Sequence, residues 1–168
     1  MPLCPLRALL NNLEPRVARY CSVLGRRAVL WHGDVGAAER RRILLDPPDV
    51  LLTTPESLEA MLISTRVDPR ELFARVRAVV VDEVHAFAGD DRGWHLLAVL
   101  ERLTRLAGRP LQRVGLSATV GNPAELVRWL QGSNADARPA TVVAPPTPPP
   151  ARADVALDHV AASRTPPR

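Results

Sequence analysis

The run Ala78-Val-Val-Val-Asp82-Glu83-Val84-His85 decides the fold of this chain, because four consecutive apolar residues without alternation end on two carboxylates and a histidine. A strand with one wet face alternates apolar and polar residues, whereas an unbroken apolar run fits a strand covered on both faces, as in a parallel sheet. The same grammar recurs on either side. Ala28 to Trp31 is a short apolar run followed by His32-Gly-Asp34, and Asp49 to Thr53 carries Val-Leu-Leu ahead of Thr54-Pro55-Glu56. Val114 to Leu116 reads as another buried strand, ending at Ser117-Ala-Thr119.

Helical patterns separate these runs. Leu6 to Leu24 has helical spacing, bent at Pro15 and stopped by Gly25, and Ala37 to Leu45 reads as a basic amphipathic helix. Pro55 suits the first turn of a helix through Leu58, Met61 and Leu62, and a short one follows at Pro69 to Phe73. Trp94 to Leu106 places Leu97, Leu100, Leu103 and Leu106 on one face with Gly108 beyond, and Pro123 opens a last helix closing near Gly132. Strands alternating with helices predict an α/β fold with a parallel sheet covered on both faces, whose ligand site lies beyond the carboxyl ends of the strands.

From Ser133 onward the composition turns to Pro, Ala and Thr, including Pro145-Pro-Thr-Pro-Pro-Pro150. Such a stretch cannot build a packed element. The expected organisation is one domain over 1–132 and a Pro-rich disordered tail or linker over 133–168, in which Val155 to Val160 could add one strand.

Hydrophobic residues make up 46% of the 168 and charged residues 24%, the profile of a globular protein, while 4% aromatic content argues against a base-stacking sheet. With no secretory leader pattern and no long apolar run, the expectation is a cytoplasmic protein without membrane contact. Cys4 and Cys21 fall in one helical segment several turns apart, so they could not close a disulfide unless that helix were absent, and both read as reduced, buried or semi-buried thiols. The net charge of +4 is compatible with a polyanion, though an arginine-rich chain reaches such a value without binding one. All 22 basic residues are arginine, so no lysine is available to grip phosphate in a phosphate-binding loop.

The chemistry sits at the strand ends. Magnesium-assisted phosphoryl transfer needs a hard oxygen ligand for the metal and a carboxylate to orient the attacking water; Asp82 suits the first role and Glu83 the second. The bland alternative is a pair of acids capping the next turn. Ser117-Ala-Thr119 strengthens the catalytic reading, since a small hydroxyl group closing a neighbouring strand can hydrogen-bond His85. His32 reads as a loop histidine satisfied by hydrogen bonds, His95 and His159 lack metal partners at usable spacing, and Trp31, Trp94 and Trp129 read as core or half-buried.

In order, Pro5-Leu-Arg7-Ala-Leu9, His32-Gly-Asp34, Thr53-Thr-Pro-Glu-Ser57, Asp82-Glu-Val-His85 and Ser117-Ala-Thr119 resemble the motif series of DEAD/DEAH-box superfamily 2 helicases. Arg92-Gly93, Leu100-Glu-Arg-Leu103 and Arg113-Val-Gly-Leu-Ser-Ala-Thr-Val-Gly-Asn122 are similar to the large helicase-related (Lhr-type) branch. The resemblance covers Pro2 to about Gly132. It implies a RecA-like motor domain using ATP and Mg²⁺, with Asp82, Glu83 and His85 catalytic and Ser117 and Thr119 coupling nucleotide state to the nucleic-acid side. It further implies that Arg7, Thr54, Pro55 and Glu56 lie against the backbone of single-stranded DNA or RNA. A solvated helix face is an equal reading for Arg7 and the favoured one for Arg40-Arg-Arg42.

Members of this family carry a Gly-Lys-Ser/Thr loop before the first nucleic-acid helix, and a second RecA-like domain afterwards. Neither is in this sequence. The sheet is therefore expected to be incomplete, lacking the first strand and the phosphate loop, with apolar sheet surface exposed and ATP turnover negligible in isolation. The competing class is a non-catalytic module that binds nucleic acid or a partner. An unrelated α/β hydrolase is disfavoured by the absence of a Gly-x-Ser-x-Gly elbow.

Overall fold

The computed structural model describes residues 1–118, 120–135 and 139–144. Five strands form one all-parallel sheet in the order β2-β3-β1-β4-β5: β1 (Pro2–Leu3), β2 (Ala28–Trp31), β3 (Val50–Thr53), β4 (Ala78–Val81) and β5 (Gln112–Gly115). Six helices connect and flank them: α1 (Arg7–Val23), α2 (Ala37–Leu45), α3 (Pro55–Ile63), α4 (Pro69–Phe73), α5 (Asp91–Ala107) and α6 (Pro123–Gln131). A 3-10 turn at Val84–Ala86 follows β4, and another at Gly132–Asn134 follows α6.

Local chemistry sets the helix ends. Thr54 accepts from the Ser57 amide and Pro55 sits in the first turn of α3; Asp68 and Asp90 cap α4 and α5 with their carboxylates. α1 runs unbroken through Pro15 and closes when Gly25 (φ +64°) and Arg26 donate back to Ser22 and Cys21.

The faces of the sheet are covered unequally. α1 packs Leu10 onto Leu52, with Leu30 and Val50 beside it, while Leu51, Val79 and Val81 on the other face meet Leu58, Met61, Phe73, Leu96, Val99 and Leu100 from α3, α4 and α5. On the α1 side the cover stops short. Val80 and Val114, register partners on β4 and β5, are only half-buried, and Leu116 just beyond is 49% exposed.

Several expectations change. Pro2–Leu3 is a strand at the centre of the sheet, paired with both β3 and β4, and Cys4 lies just past its end rather than in α1. Cys4 and Cys21 are both free thiols. β5 covers Gln112–Gly115 instead of Val114 to Leu116, and as the last strand in the sheet it is partly exposed rather than buried. Trp94 is 68% exposed, because it lies in the first turn of α5, and α5 begins three residues earlier than the periodicity suggests. Trp31 is buried and Trp129 half-buried. Thr119, the stretch 145–150 and Val155 to Val160 lie outside the described residues.

Candidate phosphoryl-transfer and nucleic-acid site

Because every strand runs the same way, the segments after all five emerge along one edge of the sheet. That edge gathers Cys4 to Arg7, His32 to Asp34, Thr54 to Glu56, Asp82 to His85, and Leu116 to Ala118.

At the β4/β5 end, the acidic loop is pinned by its backbone. The Asp82 amide donates to the Leu3 carbonyl at 2.8 Å and the Val84 amide to the Leu116 carbonyl at 2.9 Å. To turn sharply off β4, Glu83 adopts φ 49° and ψ 45°, the one left-handed residue other than glycine among the described residues. Such a conformation is costly for a side chain with a Cβ, and strain of this kind gathers at functional sites. One Asp82 oxygen accepts the Glu83 amide at 3.0 Å and the other faces the Cys4 thiol at 3.7 Å. Burial, then the adjacent Asp82 charge, push that thiol up to about 12, so it stays protonated and donates.

Beyond Asp82, His85 stands between Glu83 and Ser117. Its Nε2 lies 3.5 Å from the Glu83 carboxylate and its Nδ1 2.7 Å from the Ser117 hydroxyl. Gly115 permits this closeness of loops, since a Cβ there would sit 3.1 Å from Val84 and 3.2 Å from Leu130.

Asp82 fits the Mg²⁺ of a nucleotide-bound site. It offers a hard oxygen at an open strand end, and the protonated thiol beside it supplies no competing soft ligand. Among the described residues no group of three or more His, Cys, Asp or Glu forms a cage. Mg²⁺ does not need one, because it is commonly held by one or two carboxylates together with substrate phosphates and water.

The β2/β3 end is built from arginine pairs. Arg7, at the start of α1, donates to both Asp34 oxygens at 2.9 and 3.1 Å, its guanidinium lying so close over Gly33 that a Cβ there would be 2.9 Å away. His32 is buried, its Nε2 3.0 Å from the Asn11 side-chain oxygen and its Nδ1 accepting from the Asp34 amide. Arg40 stacks over Trp31 at 5.8 Å and donates to the His32 and Gly33 carbonyls. The solvated face expected of Arg40-Arg-Arg42 therefore holds for Arg41 and Arg42, which are exposed, but not for Arg40.

Thr54 caps α3 by accepting the Ser57 amide on its hydroxyl, and both it and Pro55 are buried, which leaves Glu56 as the exposed side chain of that trio. Burial acts to raise the Glu56 pKa, but bonds from its own amide, the Arg92 guanidinium and the Thr54 hydroxyl outweigh it, and the carboxyl is held below the ordinary glutamate value of 4.5. Arg92 reaches Glu56 at 2.9 Å, the Pro5 carbonyl at 2.9 Å, and lies 5.5 Å over the Phe87 ring. It thereby ties the loop after β1, the start of α3 and the loop after the acidic motif.

Asp34, Cys4 and Arg92 hold places in the site that the sequence alone does not assign to them. Arg92 is legible through the resemblance of Arg92-Gly93 to the Lhr-type branch. Cys4 and Asp34 carry no local signal for partners 78 and 27 residues away.

The profile of the DEAD/DEAH box helicase family matches residues 1–127. The chain is 51% identical over 114 residues to the "Lhr helicase/ probable uracil glycosylase" of Mycolicibacterium smegmatis, covering 68% of this chain and 7% of that protein. It is 39% identical over 141 residues to the "ATP-dependent helicase Lhr-Core" of Methanothermobacter thermautotrophicus, covering 77% of this chain and 16% of that protein. Among solved structures, Mycobacterium smegmatis helicase Lhr bound to ssDNA and AMP-PNP aligns with a TM-score of 0.74 and 41% identity over 86% of this chain and 19% of its own. The DUF1998 helicase MrfA bound to DNA and AMPPNP aligns at 0.66 and 26% identity over 77% of this chain and 19% of its own.

Proposed function

The chain belongs to the DEAD/DEAH box helicase family, within its Lhr-type branch, and from that premise we propose that its carboxyl edge is the shared nucleotide and single-strand surface of a RecA-like motor domain. The observation that carries the reading is the division of that edge: carboxylates with a histidine at the β4/β5 end, and paired arginines with a capped helix start at the β2/β3 end.

In this reading Asp82 would hold Mg²⁺, which would supply charge neutralisation on the nucleotide phosphates. Glu83 orients and deprotonates the attacking water. His85 and Ser117, with Thr119, carry nucleotide state along the edge, and the Glu83–His85–Ser117 line is the physical path. Arg7, Glu56 and the helix start formed by Thr54 and Pro55 meet the phosphate-sugar backbone of single-stranded DNA or RNA, Arg7 exchanging Asp34 for a phosphate.

Hydrolysis requires a phosphate-gripping lysine and an arginine from a second motor domain. The first is absent from these 168 residues, so isolated turnover is expected to stay at background. The test is fluorescence anisotropy with a labelled single-stranded oligonucleotide over a salt series, alongside phosphate release with Glu83→Gln. Salt-sensitive binding weakened by Arg7→Ala, with no phosphate released, supports the motor reading. Absence of binding, or binding indifferent to Arg7, sinks it; turnover abolished by Glu83→Gln would overturn the claim of isolated inactivity.

A further inference from the structure

We propose that the cleft where α3, α4 and α5 meet docks an acidic peptide segment carrying an aliphatic side chain between its carboxylates. The cleft has a volume of about 300 Å³ and is lined by Leu62, Arg70, Arg102, Arg105 and Leu106. Three guanidiniums surround two leucines, and no carboxylate lines it. Leu62 and Leu106 are half-buried and rest on the main core, so the floor is fixed by packing rather than by the partner. Arg102 is paired with Glu59 at 2.9 Å, whereas neither Arg70 nor Arg105 forms an ion pair with a described residue.

Position separates this cleft from the site above. Thirteen helical residues rising 1.5 Å each put Arg105 about 20 Å along α5 from Arg92. Leu62 likewise lies near the end of α3, remote from its Thr54 cap. The cleft thus opens at the end of the sheet where the strands begin, and it does not depend on the motor reading.

The lining chooses the occupant. A carboxylate matches the planar fork of a guanidinium with two parallel hydrogen bonds, and an aliphatic side chain matches the leucine floor. A nucleic-acid backbone would use the arginines but leave the leucines facing sugar and water. Charge complementarity therefore favours a peptide rich in glutamate or aspartate, with leucine or a similar residue between.

A fluorescein-labelled peptide of sequence Glu-Leu-Glu-Glu-Leu-Glu, titrated with the whole chain at low and at physiological salt, tests this. Saturable binding is expected, weakened about tenfold or more by Arg70→Glu with Arg105→Glu. Arg41→Glu with Arg42→Glu, the same charge change on exposed α2 positions, is expected to leave it within about twofold. Arg70→Lys with Arg105→Lys keeps the charge and the fold but removes the forks, and is expected to lose part of the affinity. Replacing both peptide leucines with serine should weaken binding as well. No binding by the wild-type chain overturns the proposal, as does equal loss in the two charge-reversed variants, which would mean diffuse attraction. Displacement by an oligonucleotide whose own binding shares the Arg70 and Arg105 dependence would make the cleft a nucleic-acid surface instead.

Discussion

The two ends of the carboxyl edge are finished in opposite ways. At the β2/β3 end two arginines already have partners of opposite sign: Arg7 with Asp34, and Arg92 with Glu56. At the β4/β5 end two adjacent carboxylates meet a thiol, a backbone amide and one histidine. A surface satisfied within itself can bind a phosphate only by exchange, so its affinity is set by how easily Asp34 yields Arg7. A surface with surplus negative charge is incomplete until a cation arrives. The difference is the one that the proposed motor surface, gripping and releasing a strand while holding a metal nucleotide, would need.

The largest effect should come from breaking the joint between the two ends. Gly93 lies directly after Arg92, and a Cβ there would fall 2.0 Å from the Phe87 carbonyl oxygen. Backbone must move to admit one, so Gly93→Val is expected to cost more than about 3 kcal/mol in urea denaturation. Arg92→Ala comes next. It unties Pro5 from Glu56, and single-strand affinity should drop about tenfold while the melt shifts little, both ions being exposed.

The exchange idea is sharpened by two changes of opposite sign. Arg7→Ala should weaken single-strand binding severalfold and reduce the salt slope by about one, whereas Asp34→Asn should strengthen it by freeing Arg7. Weaker binding in both would mean that the pair acts only to hold the loop.

Acid should erode the ion pairs of the helices by degrees. Glu56 and Glu59 are held below the ordinary value of 4.5, Glu59 chiefly by the His95 hydrogen bond, and Glu101 is likewise lowered where burial is outweighed by bonds from Ser133 and Arg113. Carboxyls with depressed folded values stabilise the fold fully above the ordinary glutamate range and lose that contribution as pH falls through the folded values. The urea midpoint should therefore hold steady above about pH 5 and decline below 4.5, with Glu59→Gln flattening part of the slope. The smallest change is expected at the strained turn. Asparagine tolerates the left-handed region better than glutamate, so Glu83→Asn should raise stability by about 0.5 kcal/mol or more.

How much of this was legible follows from range. β2, β4, α2 and α4 announce themselves through apolar runs, proline and period, and their boundaries agree with the reading of the sequence. β1 does not, since two residues beginning with proline have no periodicity. Nothing local in Val114 to Leu116 says that its strand lies at an edge, because a neighbour count is a tertiary property. The same holds in the site. Carboxylates at the end of an apolar run are visible one residue at a time, but the pairing of Arg92 with Glu56 across 36 residues, or of Arg7 with Asp34 across 27, exists only once the crossovers have closed.

The central position of β1 carries a consequence in time. Cys4, at its end, meets Asp82 across 78 residues of chain, and β1 has no partner nearer in sequence than β3. At roughly 5 to 20 residues per second, a ribosome would take on the order of 4 to 16 seconds to make the residues that complete this pairing. Throughout that interval one edge of β1 is without its β4 partner, and a chaperone that shields short apolar segments would cover it.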